Sequence, residues 1–243
     1  KKNFKNFLIS ISPIVFFLLS NVIKNIDGSG IIYTLTIRDS IVLAGWLREC
    51  GIEAREYHSR LNPIEKKQLE EGLICDEIKV LVATTSLGMG FDKPNLSFVF
   101  HYQMPSSVVA YYQQVGRAGR AIDYAYGVLI GGQEDIRINH FFIDNAFPSR
   151  EEVEIVLTAL EESTDEDDGF YVQRLFKMVN LTEKRIRQTL EILSLEVPAP
   201  VALTKGKWQR LPAELSKEFW QRVELLNLRR KDELLEMETF LEL

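Results

Sequence analysis

The sequence predicts an α/β protein in which a parallel sheet flanked by helices is followed by a mainly helical region ending in a helix pair and a two-strand wing. Three observations carry this. From Gly30 to Gly132, short apolar runs rich in β-branched residues alternate with segments of helical spacing, in the order βαβαββαβ. The acidic stretch EESTDEDD, residues 161–168, then separates this part from the remainder of the chain. Beyond it, two amphipathic segments precede two strand-like runs around Lys205-Gly206-Lys207.

The amino end has lysines followed by an apolar run from Phe7 to Ile23, the outline of a signal or a membrane anchor. That run of 17 residues contains Ser10, Ser12, Pro13, Ser20 and Asn21, too short and polar for a span. A helix starting near Pro13 is expected instead, burying Phe16, Leu19, Ile23 and Ile26, and no membrane partner is expected. GIIYTLT reads as the first strand, and Arg38 to Cys50 as a helix with Ile41, Ala44 and Leu47 inward, closing at Gly51. IEAREYH is the second strand, and Asn62-Pro63 caps and opens a helix through Glu65 and Leu69 to Gly72. KVLVATT and LSFVFHYQ are the third and fourth strands, Ser106 to Val115 a helix, and YGVLIGG the fifth strand. In such sheets ligands bind beyond the carboxyl ends of strands, where Thr84, Thr85, Gly88, Gly90 and Asp92 are expected to fall. Asp92-Lys93-Pro94 is equally well a turn. His101 is expected to be a packing residue at a strand end.

Helices at Glu134–Phe142 and Ser149–Glu162 follow, the second capped by Ser149 and burying Val153, Val156, Leu157 and Leu160. YVQRLFKMV and TEKRIRQTLEIL form the helix pair, with Asn180 and Glu183 resembling a capping box. Ile186, Leu190 and Leu193 are the inward stripe of the second helix, leaving Lys184, Arg185 and Arg187 on other faces. VALT and WQRL form the hairpin, and the whole reads as a winged helix. Its basic helix, with Lys205, Lys207 and Trp208 on the wing, suits duplex DNA, the cations meeting phosphates and the indole a base or sugar. A protein-docking winged helix is the other reading. Leu215 to Leu243 reads as one long helix packing back on the sheet-bearing lobe, a coiled-coil dimer being the alternative, and a monomer is expected.

Net charge is -6, with 46% hydrophobic and 26% charged residues, as in ordinary globular proteins. This argues against a protein that simply coats nucleic acid. Six acids lie within EESTDEDD, and without them the formal charge is zero, so basic faces remain available. Cys50 and Cys75 fit no ligand spacing, so neither a disulfide framework nor zinc is supported, and a cytoplasmic location is expected, at the nucleoid if the chain is bacterial.

YYQQVGRAGR, residues 111–120, places Arg117 and Arg120 three apart, each directly preceded by a glycine, Gly116 and Gly119. Guanidinium presents a fixed fork of donors that matches phosphate oxygens, so the pair suits a γ-phosphoryl group in transfer. Equally, the stretch reads as a helix end capped by glycine with arginines on the surface. GSGIIYTLT, YHSRL, VLVATTSLGMGFDKPN and HYQMPSSVVAYYQQVGRAGR, in this order and spacing, resemble the second RecA-like lobe of superfamily 2 helicases, and most of all the RecQ family of DNA helicases. The resemblance covers about Gly28 to Gly132.

It implies that Gln113, Arg117 and Arg120, with Gly116 beside them, reach ATP phosphates across a cleft between two lobes. Gly88, Gly90 and Asp92 would couple the nucleotide to single-stranded DNA. Thr84 and Thr85 would lie at a strand phosphate, with Thr34, Arg38 and His58 along the same track. Arg60 stands where the family usually has Gly, Gln114 where Glu is common, and Ala121-Ile122 where Asp-Gly often follows, all beside the chemistry. The family's cofactors are ATP and Mg²⁺, bound mainly by the first lobe. No GxxxxGK[ST] occurs in this sequence, so the chain reads as a piece of a longer protein that does not hydrolyse ATP alone. The expected organisation is an entering helix at 1–27, the lobe at 28–145, a helix and acidic linker at 146–168, a winged helix at 169–212 and a final helix at 213–243. The expected function is an ATP-dependent 3′–5′ DNA helicase acting on single-stranded and forked DNA in repair or recombination. The rival is a non-enzymatic DNA-binding module with a relic lobe.

Overall fold

The computed structural model describes residues 13–88, 90–162 and 169–242. The segment before Pro13, the side chain of Phe16 and residues 163–168 of the acidic linker lie outside the described residues. Contacts divide the chain into two compact units, residues 1–141 with 230–243, and residues 142–229.

Unit 1 is built on a five-stranded, wholly parallel sheet ordered β2-β3-β1-β4-β5. Its strands are β1 Gly30–Tyr33, β2 Ala54–Tyr57, β3 Val80–Ala83, β4 Phe98–His101 and β5 Tyr126–Leu129. They start level, Gly30 pairing with both Val80 and Phe98. Gly30 is required there, since a Cβ would sit 2.3 Å from the Phe98 ring. Helices α1 Pro13–Asn25, α2 Ile37–Glu49, α3 Pro63–Ile74 and α4 Val108–Val115 connect and flank the strands.

Alternation along the strands separates two cores. Ile32, Val80, Val82, Phe98 and Phe100 bury against Leu19 and Ile23 of α1 and Leu43, Ala44 and Leu47 of α2. Ile31, Tyr33, Leu81, Ala83 and Val99 bury on the other face against Leu73 of α3 and Leu87, Phe91 and Leu96. The expected inward stripe of α2 is displaced, because Ile41 is exposed and Ser40 and Leu43 are buried beside Ala44 and Leu47. That set keeps the i, i+3, i+4, i+7 spacing, which Ile41 does not share. Asn62 caps α3 in a reciprocal pair with Glu65. No helix among the described residues is long and apolar enough to cross a membrane.

After α5 Gln133–Asp144, unit 2 contains α6 Arg150–Glu161, α7 Val172–Met178, α8 Glu183–Ser194 and the antiparallel hairpin β6 Val201–Thr204 and β7 Lys207–Arg210. Phe170 adds an antiparallel bridge to Trp208 of the hairpin. The hairpin turn is two residues, Lys205 at φ 50 and Gly206 at φ 81, so Lys207 belongs to β7 and pairs with Thr204. The α8 cap is Thr182, which accepts from the Arg185 amide, not Asn180. Val153, Val156 and Leu160 of α6, Leu175 of α7 and Ile186, Leu190 and Leu193 of α8 form the core, while Leu157 only borders it. The long helix α9 runs Lys217–Glu242 and contributes its residues from Arg230 onward to unit 1, where Leu234 and Met237 are buried.

Candidate functional site

The arginine stretch begins as an ordinary helix end. Ser107 caps α4 through Ala110, and Gly116 closes it with its amide on Tyr112 and Gln114 carbonyls. Arg117 and Ala118 continue in a tight turn onto Gln114 and Val115, and Gly119 takes φ +76. The Gly119 amide then donates to the Leu96 carbonyl at 3.0 Å and the Ala121 amide to Pro94 at 2.8 Å. The arginines are therefore moored beside residues 94–97, on the approach to β4. Thr34, His58, Thr84 and Thr85 sit just past the carboxyl ends of β1, β2 and β3. The helix-cap reading of GRAGR describes this backbone, with Arg120 on the surface and Arg117 buried.

Arg117 and Arg120 differ sharply. Arg117 is buried, its Nη1 donating to the Phe91 carbonyl at 2.9 Å, and among the described residues its Nε has no partner. It turns into the lobe towards Tyr33, whose phenol burial pushes up to about 12 while the Arg117 charge pulls it back. Arg120 is exposed, with Nη1 on Asp92 Oδ1 at 2.8 Å and Nε on the Gly116 carbonyl. An ion pair with both side chains half exposed holds by about 0–1 kcal/mol, so it orients the guanidinium without locking it away from another anion. Asp92 is thus placed to orient an arginine, one of the roles its sequence position suggested.

Gln113 is exposed beside them. Gly88 and Gly90 are exposed, and a Cβ at either would meet nothing within 4 Å. Nothing inside the described lobe demands glycine at these positions, which leaves the space in front of them open. Along the strand edge, Arg38 and Thr85 are exposed, whereas Thr34 and His58 are buried. Thr34 bonds the Thr36 carbonyl, and Thr84 shares a bond with Ser86 at 2.9 Å. Thr34, His58 and Thr84 are packed residues in this conformation, a correction to their expected place along the track of the strand. His101 is fully buried, stacked on Tyr33 and bonded through Nε2 to Gln114 at 2.7 Å. Burial lowers its pKa to about 4, so it is neutral.

In unit 2, Lys184, Arg187 and Lys205 are exposed, Arg187 pairing with Glu183. Lys207 is half-buried over the Tyr171 ring. Two expected DNA contacts are corrected. Trp208 is 5% exposed, held in the core by its ladder to Phe170, so its face is not offered to a base. Arg185 bonds both oxygens of Glu152, the carbonyls of Asn145 and Phe147, and Gln188. Its donors serve the fold.

Residues 15–122 match the family described as the helicase conserved C-terminal domain. Over 92 residues the chain is 45% identical to a putative ATP-dependent DNA helicase Q1 of Caenorhabditis elegans, covering 38% of this chain and 15% of that protein. It is 40% identical over 104 residues to the ATP-dependent DNA helicase RecQ of Synechocystis, covering 43% and 22%, and 35% identical over 130 residues to that of Bacillus subtilis, covering 54% and 22%. Unit 1 is similar to the carboxyl-terminal lobe of these RecQ-family helicases. The chain spans less than a quarter of the length of these relatives.

The donor set of this RecQ-like lobe is cationic at Arg120 and fits phosphate oxygens. Among the described residues, no group of three or more His, Cys, Asp or Glu could hold a metal. One participant was missed in the sequence. Lys93 of the lobe is buried at 2%, its ammonium 3.0 Å from both Asp76 Oδ1 and the Ile74 carbonyl. In the fold Phe91 and Lys93 face inward while Asp92 and Pro94 are exposed.

Proposed function

We propose that this chain is the carboxyl-terminal part of an ATP-dependent DNA helicase that moves 3′ to 5′ on single-stranded DNA and separates duplex ahead of it, in DNA repair or recombination. The observation that carries the reading is Arg120, exposed at the end of α4 and oriented but not captured by Asp92. A phosphate group offers it a stronger, bidentate partner than an exposed carboxylate does. On this reading ATP sits between this lobe and another that supplies the phosphate loop and Mg²⁺, with Arg120 meeting the transferring phosphoryl group and Gln113 and Gly116 beside it. Arg117 stays on the Phe91 carbonyl until closure draws it outward. The segment from Thr84 to Asp92 begins at the strand edge that would face DNA and ends on the residue that orients Arg120, which gives nucleotide and strand a common piece of backbone. Thr85 and Arg38 would meet the single strand, and Lys184, Arg187, Lys205 and Lys207 the duplex or fork. The protein would act as a monomer in the cytoplasm, and this chain alone would not hydrolyse ATP.

The test is the DNA-stimulated ATPase and unwinding activity of the full-length protein with Arg120→Ala. A fall in kcat of about a hundredfold or more is expected. Full retained activity overturns the reading in favour of a DNA-binding module with an inactive lobe.

A further inference from the structure

We propose that Lys93 is a positioning residue for both arginines, acting through the Phe91 carbonyl and the Asp92 carboxylate. Three neighbouring residues divide the work. Phe91 gives its side chain to the core and its carbonyl to Arg117, Asp92 points outward to Arg120, and Lys93 points inward as an anchor. The anchor is two-pronged, on the Ile74 carbonyl at the end of α3 and on Asp76 just beyond it. The same Asp76 oxygen also accepts from the Ser29 hydroxyl at 2.7 Å, which ties the clasp to the residue before β1.

Pulling a buried ammonium off its carboxylate and carbonyl would leave buried polar groups without partners, so the clasp resists sliding. Residues 91–94 therefore cannot shift without uncovering it. The arginine stretch is moored to the same segment at Pro94 and Leu96, so its backbone and both guanidinium partners depend on one lysine. The catalytic consequence rests on the proposed function; the mechanical one does not.

The experiment is amide hydrogen exchange on this chain with Lys93→Met and Asp76→Asn, with Lys67→Met as a control on α3. Lys67 is exposed and pairs with Glu71, away from residues 91–94 and the arginines in the bonds described. Exchange at Gly119 and Ala121 is expected to rise about tenfold in Lys93→Met and less in Asp76→Asn, with Ile32 and Val82 unchanged and the control silent. Unchanged protection at Gly119 and Ala121, or an equal rise at every amide, overturns the proposal. If Lys93→Met does not fold, Asp76→Asn decides by the same criterion. In the full-length protein Lys93→Met is expected to lower kcat about tenfold with KM for ATP within about twofold. If Arg120→Ala leaves ATPase intact, the functional reading fails while the exchange result still decides the role of Lys93.

Discussion

Arg120 of unit 1 and Arg185 of unit 2 both follow a helix boundary, both meet a carboxylate, and both read as contacts for nucleic acid or nucleotide in the sequence. Their side chains are 48% and 16% exposed. Arg120 has one carboxylate oxygen and one carbonyl, while Arg185 has both Glu152 oxygens, two carbonyls and an amide oxygen. The same side chain is a poised ligand in one place and a structural rivet in the other. What decides is how many of its N–H groups the fold has already used.

The largest expected difference is between their alanine variants. Arg120→Ala removes about a hundredfold or more of turnover in the full-length protein while unit 1 unfolds within about 1 kcal/mol of wild type, by thermal denaturation. Arg185→Ala destabilises unit 2 by about 3 kcal/mol, because Glu152 and two carbonyls lose their donor together. An Arg185→Ala protein as stable as wild type but weaker on DNA would break the comparison. Next in size, Lys184→Gln with Lys205→Gln is expected to weaken duplex binding and lower the salt slope of log K by about 2, measured by titration at several salt concentrations. Gln in place of Arg187, already paired with Glu183, changes the slope less.

The smallest effects are in the response to pH. The Arg185 hydrogen bond holds the Glu152 carboxyl below its usual range against the cost of burial. Its folded pKa is depressed, so that stability is present at neutral pH and is lost as acid protonates the carboxylate; Arg185→Ala flattens this slope in unit 2. Unit 1 carries two opposed groups. Burial lowers His101 from 6.5 to about 4, so stability falls as pH drops across that window. Burial raises Asp135 from 3.8 to about 6 although the Met104 and Gly132 amides bond it, so stability rises as pH drops from about 6 to 4. Acidification is expected to destabilise Asp135→Asn more, and His101→Gln less, than wild type in thermal melts between pH 6.5 and 4.

The five strands and their order along the chain were legible because each is a short apolar run bounded by turn residues and capped helices. Asn62 and Ser149 announced their helices through residues three positions on, a purely local signal. The order of strands across the sheet was not legible, since it depends on pairings far apart in sequence. Asp92 and Arg120, in two separate motif blocks, come together although they lie 28 positions apart. Whether a side chain was free was not legible. Arg117 is turned inward by a carbonyl 26 residues away, Arg185 is held by residues up to 40 positions back, and Trp208 is buried by a bridge to Phe170. Lys93 looked like part of a turn because its partners, Ile74 and Asp76, lie on another element.

The aromatic contact between α9 and α4 has a consequence for how the protein is made. Phe240 lies 5.5 Å from Tyr111 and 6.2 Å from Tyr112, ring centre to ring centre. A ribosome that has finished the arginine helix must add the whole of unit 2 before Phe240 emerges, on the order of ten seconds at bacterial elongation rates. Through that interval the helix that carries Arg117 and Arg120 stands without its aromatic cover, a nascent surface on which a chaperone can act before the lobe is closed by its own late-arriving helix.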